Sequence, residues 1–318
     1  MKTILSFIVF GWIIPHYNLK NTPVTSIPFD LVQNLIIVKA TANGKEGYFV
    51  VDTGVSETIL NKRYFKGNAT GIKFYGIHGN EIENEIWPIK LNIEGFEKNM
   101  IGVIIDFTAL EKKTGLDLLG VVGNSLFKNC ELVLDYTFKE LTIYRLNKEG
   151  NRISSKNIHK EPQSTLPIIL GKGLALIEVK MNGKKLKMIL DTGASANVMD
   201  IQEINHIGSG SSRVREVSMA GFGKNITQVK SSKVNEWMVG NLPCPPMKTL
   251  FVPLNQLNQN NWGNRVDGIL GYNFLCNFRV SINFRKKEIH LWDRESVELQ
   301  LANAKKSDNA IGINSIEY

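Results

Sequence analysis

Phe49-Val50-Val51-Asp52-Thr53-Gly54-Val55-Ser56 and Met188-Ile189-Leu190-Asp191-Thr192-Gly193-Ala194-Ser195 are two copies of one pattern, an apolar run that ends in Asp-Thr-Gly. The likeness extends outward without a gap. Ile27-Pro28-Phe29 aligns with Leu166-Pro167-Ile168, Leu35-Ile36-Ile37-Val38 with Leu174-Ala175-Leu176-Ile177, and Asn43-Gly44-Lys45 with Asn182-Gly183-Lys184. Beyond the tripeptides, Leu119-Gly120-Val121-Val122-Gly123 aligns with Asp267-Gly268-Ile269-Leu270-Gly271, and Leu132-Val133-Leu134-Asp135-Tyr136 with Val280-Ser281-Ile282-Asn283-Phe284. The offset grows by nine residues between Asp191 and Gly268. Gly208-Ser209-Gly210-Ser211-Ser212 and the stretch from Pro243 to Pro246 have the composition of surface insertions. The chain is a tandem duplication, and what it duplicates is a lone carboxylate at the end of an apolar strand.

That carboxylate carries the chemistry. An apolar strand ending in Asp-Thr-Gly delivers its acid into a seam of low dielectric, while the glycine lets the backbone turn sharply beneath it. Two such groups packed face to face repel when both are charged, so their titrations split and one proton is shared in mild acid. The pair then acts as base toward a bound water and as acid toward a substrate carbonyl oxygen, with no covalent intermediate. One Asp-Thr-Gly is weak evidence, because three common residues coincide by chance. Two in register, each followed by its own hydrophobic-hydrophobic-Gly, are strong.

Hydrophobic-hydrophobic-Asp-Thr-Gly followed by Val-Ser or Ala-Ser, with a later Val-Val-Gly or Ile-Leu-Gly, resembles the aspartic peptidases of the pepsin and retropepsin type. Ile27-Pro28-Phe29 through Asp52-Thr53-Gly54-Val55-Ser56 is similar to the retropepsin-like bacterial aspartyl proteases, and Val266-Asp267-Gly268-Ile269-Leu270-Gly271 resembles the corresponding pepsin segment. The resemblance covers residues 26–146 and 165–292. It implies a mostly β, bilobal acid-protease fold: two tandem retropepsin-like β-barrel lobes with pseudo-twofold symmetry, and catalytic Asp52 and Asp191 at their interface. It further implies that Thr53 and Thr192 hydrogen-bond across the twofold and that Gly54 and Gly193 let backbone amides approach the carboxylates.

Pepsin-like enzymes carry Ser or Thr directly after Asp-Thr-Gly, and here Val55 and Ala194 stand there, which removes a hydroxyl that could stabilise the ionised aspartate. Ser56 and Ser195, one place on, are expected to contact the substrate backbone or the loop itself. A flap is needed to cover a peptide and exclude water. Its candidates are Tyr75-Gly76-Ile77-His78-Gly79-Asn80 and Met219-Ala220-Gly221-Phe222-Gly223-Lys224, whose paired glycines fit hairpin tips. Substrate contacts are accordingly expected from Tyr75, Gly76, His78, Gly79, Gly221, Phe222 and Gly223. Asp267 reads as a loop cap rather than a catalytic group.

Composition agrees. The chain has 318 residues, 43% of them hydrophobic and 21% charged, as expected of two soluble domains. The net charge of +8 is spread along the chain with interspersed Glu, and no basic stripe with interleaved aromatics of the kind nucleic-acid binding needs is present. There is no Cys-x-x-Cys and the five histidines are isolated in sequence, so neither a metal nor an organic cofactor is implied. Cys130, Cys244 and Cys276 form no symmetric disulfide framework and read as buried small hydrophobes. Met1-Lys2 followed by the apolar run Ile4 to Ile14 suits the h-region of a signal peptide (residues 1–20). Export to a periplasmic or extracellular location follows, with membrane tethering if the segment is retained. Only about a dozen residues separate that run from the first repeat, which is too short for an inhibitory pro-segment.

Short apolar or alternating runs mark strands in both halves, among them Leu35–Val38, Gly47–Val51, Ile101–Ile105, Leu174–Val179, Lys187–Leu190 and Thr249–Val252. Helix signal is thin, with single turns at Asn124–Phe127 and Tyr272–Leu275. Residues 147–164 read as the linker between an N-terminal lobe (26–146) and a C-terminal lobe (165–292), and 293–318 as a polar tail. The function expected is an aspartic endopeptidase acting on peptide or protein substrates, a monomer whose internal pairing replaces a dimer. The alternative is a peptide-binding protein that keeps the cleft without hydrolysis. A third possibility, lobes working within a larger homo-oligomer, is made unnecessary by the internal pair.

Overall fold

Asn43-Gly44 and Asn182-Gly183 set the first local structure in each half. Their φ angles are +48° and +81° in one turn and +47° and +77° in the other, the left-handed pair that a tight hairpin requires and that Asn and Gly tolerate. Each turn therefore folds its flanks into an antiparallel pair. Leu35–Ala42 lies on Lys45–Val51, closing at Ala42↔Lys45, and Leu174–Met181 lies on Lys184–Leu190, closing at Met181↔Lys184. The computed structural model describes residues 22–69, 74–75, 81–82, 85–154, 161–171, 173–220, 226–259 and 265–294.

The second strand of each hairpin then pairs in parallel with the hydrophobic-hydrophobic-Gly strand. Val51 sits beside Val122, and Leu190 beside Leu270. Thr58–Asn61 and Asn197–Asp200 complete the motif, each antiparallel to that same strand and parallel to a third, Phe96–Ile105 in one half and Met247–Val252 in the other. In the first half the strands close into a ring. Leu35–Ala42 also pairs with Glu85–Ile93 through Thr41↔Asn92 and Ala42↔Leu91, so six strands form a closed barrel.

The second half runs the same circuit through interrupted strands. Ile226–Val234 stops at Asn235-Glu236, where Glu236 takes φ +58°, and Trp237–Val239 resumes to pair with Lys180 and Met181. Pro245-Pro246 likewise separates Leu242–Cys244 from Met247–Val252, since proline cannot donate to the ladder. Most of the extra length lies between Asp200 and Arg215, where a 3-10 helix, Ile201–His206, precedes the turn around Gly208.

A six-stranded antiparallel sheet joins the halves. Val24–Pro28, Glu140–Arg145 and Cys130–Asp135 come from the first, and Phe278–Asn283, Glu288–Asp293 and Ser164–Pro167 from the second. The seam runs through Leu132↔Ile282 and Leu134↔Val280. One continuous core takes side chains from both halves, including Ile36, Phe49, Leu132, Ile177, Phe274 and Ile282. Each half also keeps a smaller apolar cluster, around Ile37, Val50 and Phe107 in the first and Leu176, Ile189 and Leu254 in the second.

The molecule is mostly β, as the alternating pattern indicates. The expected strands are present, usually a few residues longer, and Asn124–Phe127 and Tyr272–Leu275 each form a helical turn. A helix at Thr108–Thr114 was not anticipated. Its signal is Asp106, which accepts from the Thr108 amide at 2.8 Å, and the left-handed Gly115 that stops it. Ser164 and Asp293 lie inside strands rather than in the linker and tail. The signal-peptide segment, residues 155–160 of the linker and the tail from 295 onward lie outside the described residues. No described helix is long and apolar enough to cross a membrane. Cys130 is buried, Cys244 and Cys276 are half-buried, and all three are free thiols.

The joining sheet carries buried ion pairs. Arg152 from the linker grips Glu131 with Nη2 at 2.6 Å and Nε at 3.0 Å and lies 3.8 Å over the Tyr144 ring. Burial pushes the Glu131 carboxyl up, but hydrogen bonds from Arg152 and Ser281 outweigh it and hold the group below its ordinary range. The stabilisation is therefore present above the unfolded-state pKa and is lost as pH falls through the depressed folded value. Arg152→Met, which strands Glu131 in the sheet, is expected to lower stability at neutral pH by about 3 kcal/mol or more. The deficit against wild type should shrink in strong acid. Urea unfolding at a series of pH values measures it, and a deficit independent of pH would exclude the linkage.

Candidate active site

Both Asp-Thr-Gly loops begin where a strand leaves its parallel partner. The Asp52 amide donates to Val122 O and the Asp191 amide to Leu270 O, each at 3.0 Å. The two loops are then tied to each other. Thr53 N donates to Thr192 Oγ1 at 3.0 Å, and Thr192 N donates to Thr53 Oγ1 at 3.1 Å. Each hydroxyl in turn donates across to the other half's strand end: Thr53 Oγ1 to Leu190 O at 2.9 Å, and Thr192 Oγ1 to Val51 O at 2.7 Å. Both threonines are 1% exposed, so the four bonds satisfy groups that water does not reach.

The aspartates sit above this lattice. Gly54 N donates to Asp52 Oδ1 at 2.8 Å, and Gly193 N to Asp191 Oδ1 at 2.7 Å. A Cβ on Gly54 would fall inside the Asp191 carboxyl, and one on Gly193 inside the Asp52 carboxyl. Glycine is thus required at both positions by the opposing acid. Asp52 is buried and Asp191 half-buried, and their side chains hydrogen-bond to each other.

Burial raises the Asp52 carboxyl well above its ordinary range, and the Asp191 charge and hydrogen bond raise it further. Burial also raises Asp191, and hydrogen bonding from Asp52 and from the Gly193 amide lowers it only in part, so the group stays above its ordinary range. Both carboxyls are thus raised, as expected of two buried acids held against each other, where one ionisation opposes the other. Val55 and Ala194 bring no side-chain hydroxyl, and the amides hydrogen-bonded to the carboxyls are those of Gly54 and Gly193.

Asp52, Thr53, Gly54, Asp191, Thr192 and Gly193 are therefore brought into one cluster. Ser56 and Ser195 are half-buried at its edges, where their carbonyls accept hydrogen bonds from the Ser125 amide at 2.8 Å and the Asn34 side chain at 3.2 Å. Tyr75 lies in a two-stranded pair, Phe74–Tyr75 with Glu81–Ile82. Gly76, His78, Gly79, Gly221, Phe222 and Gly223 lie outside the described residues. The strands flanking the second glycine set, Arg215–Ala220 and Ile226–Val234, form an antiparallel hairpin. Asp267 is structural: it accepts from the Lys187 amide at 2.8 Å and pairs with Arg265 at 3.0 Å. Asn34 and Asn124 reach the loops without having been singled out in the sequence. Their signal is positional: Asn124 follows Val-Val-Gly, and Asn34 occupies a turn.

The family model described as Aspartyl protease matches residues 177–274, a span that contains Asp191-Thr192-Gly193 and the Ile-Leu-Gly strand. A search of curated proteins returned no match. The family match supports the aspartic protease family, and with it a peptidase hydrolase in general.

The threonine lattice has a direct test. Thr53→Val keeps the shape but leaves the Thr192 amide and the Leu190 carbonyl unpaired, and is expected to destabilise by about 2–4 kcal/mol. Thr53→Ser should recover most of this, and equal losses in the two variants would contradict the hydrogen-bond account. The aspartates add a prediction of opposite sign. Because the Asp52 pKa is raised in the fold, its contribution is full below the unfolded pKa and is lost as pH rises through the folded value. Asp52→Asn should therefore raise Tm at neutral pH, with the gain vanishing toward acid in calorimetric scans.

Proposed function

We propose that the chain is an aspartic endopeptidase whose two halves are retropepsin-like lobes related by a pseudo-twofold axis, with Asp52 and Asp191 as the catalytic dyad at their interface. The observation that carries this reading is the crossed Thr53–Thr192 hydrogen bonding beneath two carboxyls that each pack against the glycine of the opposing loop. A structural turn has no need of two buried acids held against each other, since burying like charges is unfavourable unless one is neutralised.

In this reading Asp191 accepts a proton from a water bound between the carboxyls, and that water attacks the scissile carbonyl carbon. Asp52 donates its proton to the carbonyl oxygen, giving a neutral tetrahedral diol, and the two acids have then exchanged roles. Asp191 then protonates the amide nitrogen while Asp52 takes a proton from a diol hydroxyl. The C–N bond breaks to give a carboxylic acid and an amine, with the starting protonation of the pair restored. The substrate is an extended peptide or protein segment, and the apolar N-terminal run is consistent with export. Internal pairing makes a monomer sufficient.

Asp52→Asn and Asp191→Asn are each expected to reduce kcat by about three orders of magnitude or more while the chain stays folded, because the pair acts as a unit. Activity should follow a bell with its optimum in mild acid. Below the lower limb both acids are protonated and no base remains; above the upper limb Asp52 has lost its proton and no acid remains. A peptide library assayed across pH with purified protein measures both points. Folded wild type that binds peptides and cleaves none would favour the peptide-binding alternative, and near-normal turnover in one aspartate variant would exclude the shared dyad.

A further inference from the structure

The two aspartate loops are anchored by one lattice beneath them, yet their outer ends are held by contacts that the duplication does not repeat. Asn124 is 4% exposed and follows Gly123 in the first half; its Nδ2 donates to Thr53 O at 2.6 Å and lies 3.4 Å from Gly173 O. Gly173 belongs to the other half, at the tip between Ile169–Gly171 and Leu174–Met181. The first loop is thus linked through Asn124 to a turn of the second half. The second loop is linked in the converse sense. Asn34, at φ +64° in the turn between Asp30–Val32 and Leu35–Ala42, donates from Nδ2 to Ser195 O at 3.2 Å.

In the repeat, Asn34 corresponds to Gly173 and Asn124 to Tyr272. Neither asparagine has an asparagine counterpart, yet each sends its amide to the carbonyl of an aspartate loop, and each bond joins or bridges the halves. The backbone bonds in the same places are repeated: Asn124 N to Val55 O and Tyr272 N to Ala194 O, both 2.9 Å. The side-chain tethers are therefore an addition to the duplicated scaffold. That of Asn124 comes with an unfavourable feature, because its buried Oδ1 has no hydrogen-bond partner among the described residues. A buried amide that satisfies only its donor side is poorly explained by stability alone.

We infer that Asn34 and Asn124 are positioning residues, a crosswise pair of side-chain tethers that hold the Asp191 and Asp52 loops at the separation the shared proton requires. The inference rests on the peptidase reading above. Neither side chain touches the reacting atoms. Their effect runs through the Thr53 and Ser195 peptides, whose displacement by a fraction of an ångström would move a carboxyl out of alignment with its partner. Rate is far more sensitive to such displacement than substrate affinity is.

The test uses the full chain. Asn34→Gly keeps the left-handed backbone without strain and removes only the amide donor. Asn124→Leu removes the other donor, and Asn124→Asp returns one only when its carboxyl is protonated. Expected for Asn34→Gly and Asn124→Leu are a kcat lower by about 10–100-fold, a KM within about threefold of wild type, and a narrowed pH bell. Asn124→Asp should approach wild-type kcat in acid and fall away from it as pH rises. Hydrogen exchange at the Thr53, Gly54, Thr192 and Gly193 amides is measured in parallel, since it reads the loops whether or not the protein hydrolyses peptide. Faster exchange confined to the loop whose tether was cut supports the inference. Unchanged exchange and unchanged kcat in Asn34→Gly, beside an inactive Asp52→Asn, would overturn the tethers and leave the peptidase reading standing. Absence of cleavage by wild type would instead overturn the peptidase reading, and unchanged loop exchange in that sample would overturn the tethers as well.

Discussion

The structure depends on the reciprocal hydrogen bonds of Thr53 and Thr192. Each threonine amide donates to the other's hydroxyl, and each hydroxyl donates to the strand end that precedes the opposite aspartate. An oxygen that accepts one bond and donates another in a buried setting has one acceptable geometry, so the lattice fixes both loops at once. Two strand ends bearing buried acids would separate if left to charge alone, because repulsion and desolvation both oppose bringing them together. The threonines supply the opposing attraction from below, with neutral groups that burial does not penalise once they are paired.

The remaining architecture can be read as support for that junction. The Asn-Gly turns set hairpin register, hairpin register sets where Val51 and Leu190 end, and those ends place the aspartates. The parallel strands ending at Val122 and Leu270 stop the chain from slipping, since a one-residue shift would turn each acid to the opposite face. The joining sheet holds the two circuits in a common frame through Leu132↔Ile282 and its neighbours. Gly54 and Gly193 then allow the acids to approach, because any side chain there would occupy the opposing carboxyl's place.

Much of this was legible in the sequence because duplication converts a weak motif into a constrained one. Asp52 and Asp191 could be assigned together, and with them Thr53, Gly54, Thr192 and Gly193, since each carries its meaning only as one of a pair. The strand pattern was legible for the same reason: a run seen twice is less ambiguous than a run seen once. Legibility failed where signals are short or where the halves diverge. The helix at Thr108–Thr114 recurs in the second half as Asn255–Gln259, but each is too short to carry a periodic signal of its own. The breaks at Asn235-Glu236 and Pro245-Pro246 change strand count without changing the circuit, which depends on long-range pairing that no local pattern reports. The contacts of Asn34 and Asn124 with the aspartate loops were invisible because an isolated asparagine in a turn is ordinary, and only three-dimensional placement shows which carbonyl it reaches.

That divergence bears on how one chain comes to distinguish two equivalent acids. A symmetric pair has no preferred site for its proton. Here Asp52 is more deeply buried than Asp191, though each carboxyl receives one glycine amide, so the symmetry is broken by environment while the lattice beneath stays reciprocal. Fusion of the repeats makes this possible, because each half can then change independently of the other. A closed ring on one side and an interrupted one on the other, glycine opposite Asn34 and tyrosine opposite Asn124, are changes of this kind. They leave the threonine lattice intact and alter the surroundings of each carboxyl separately.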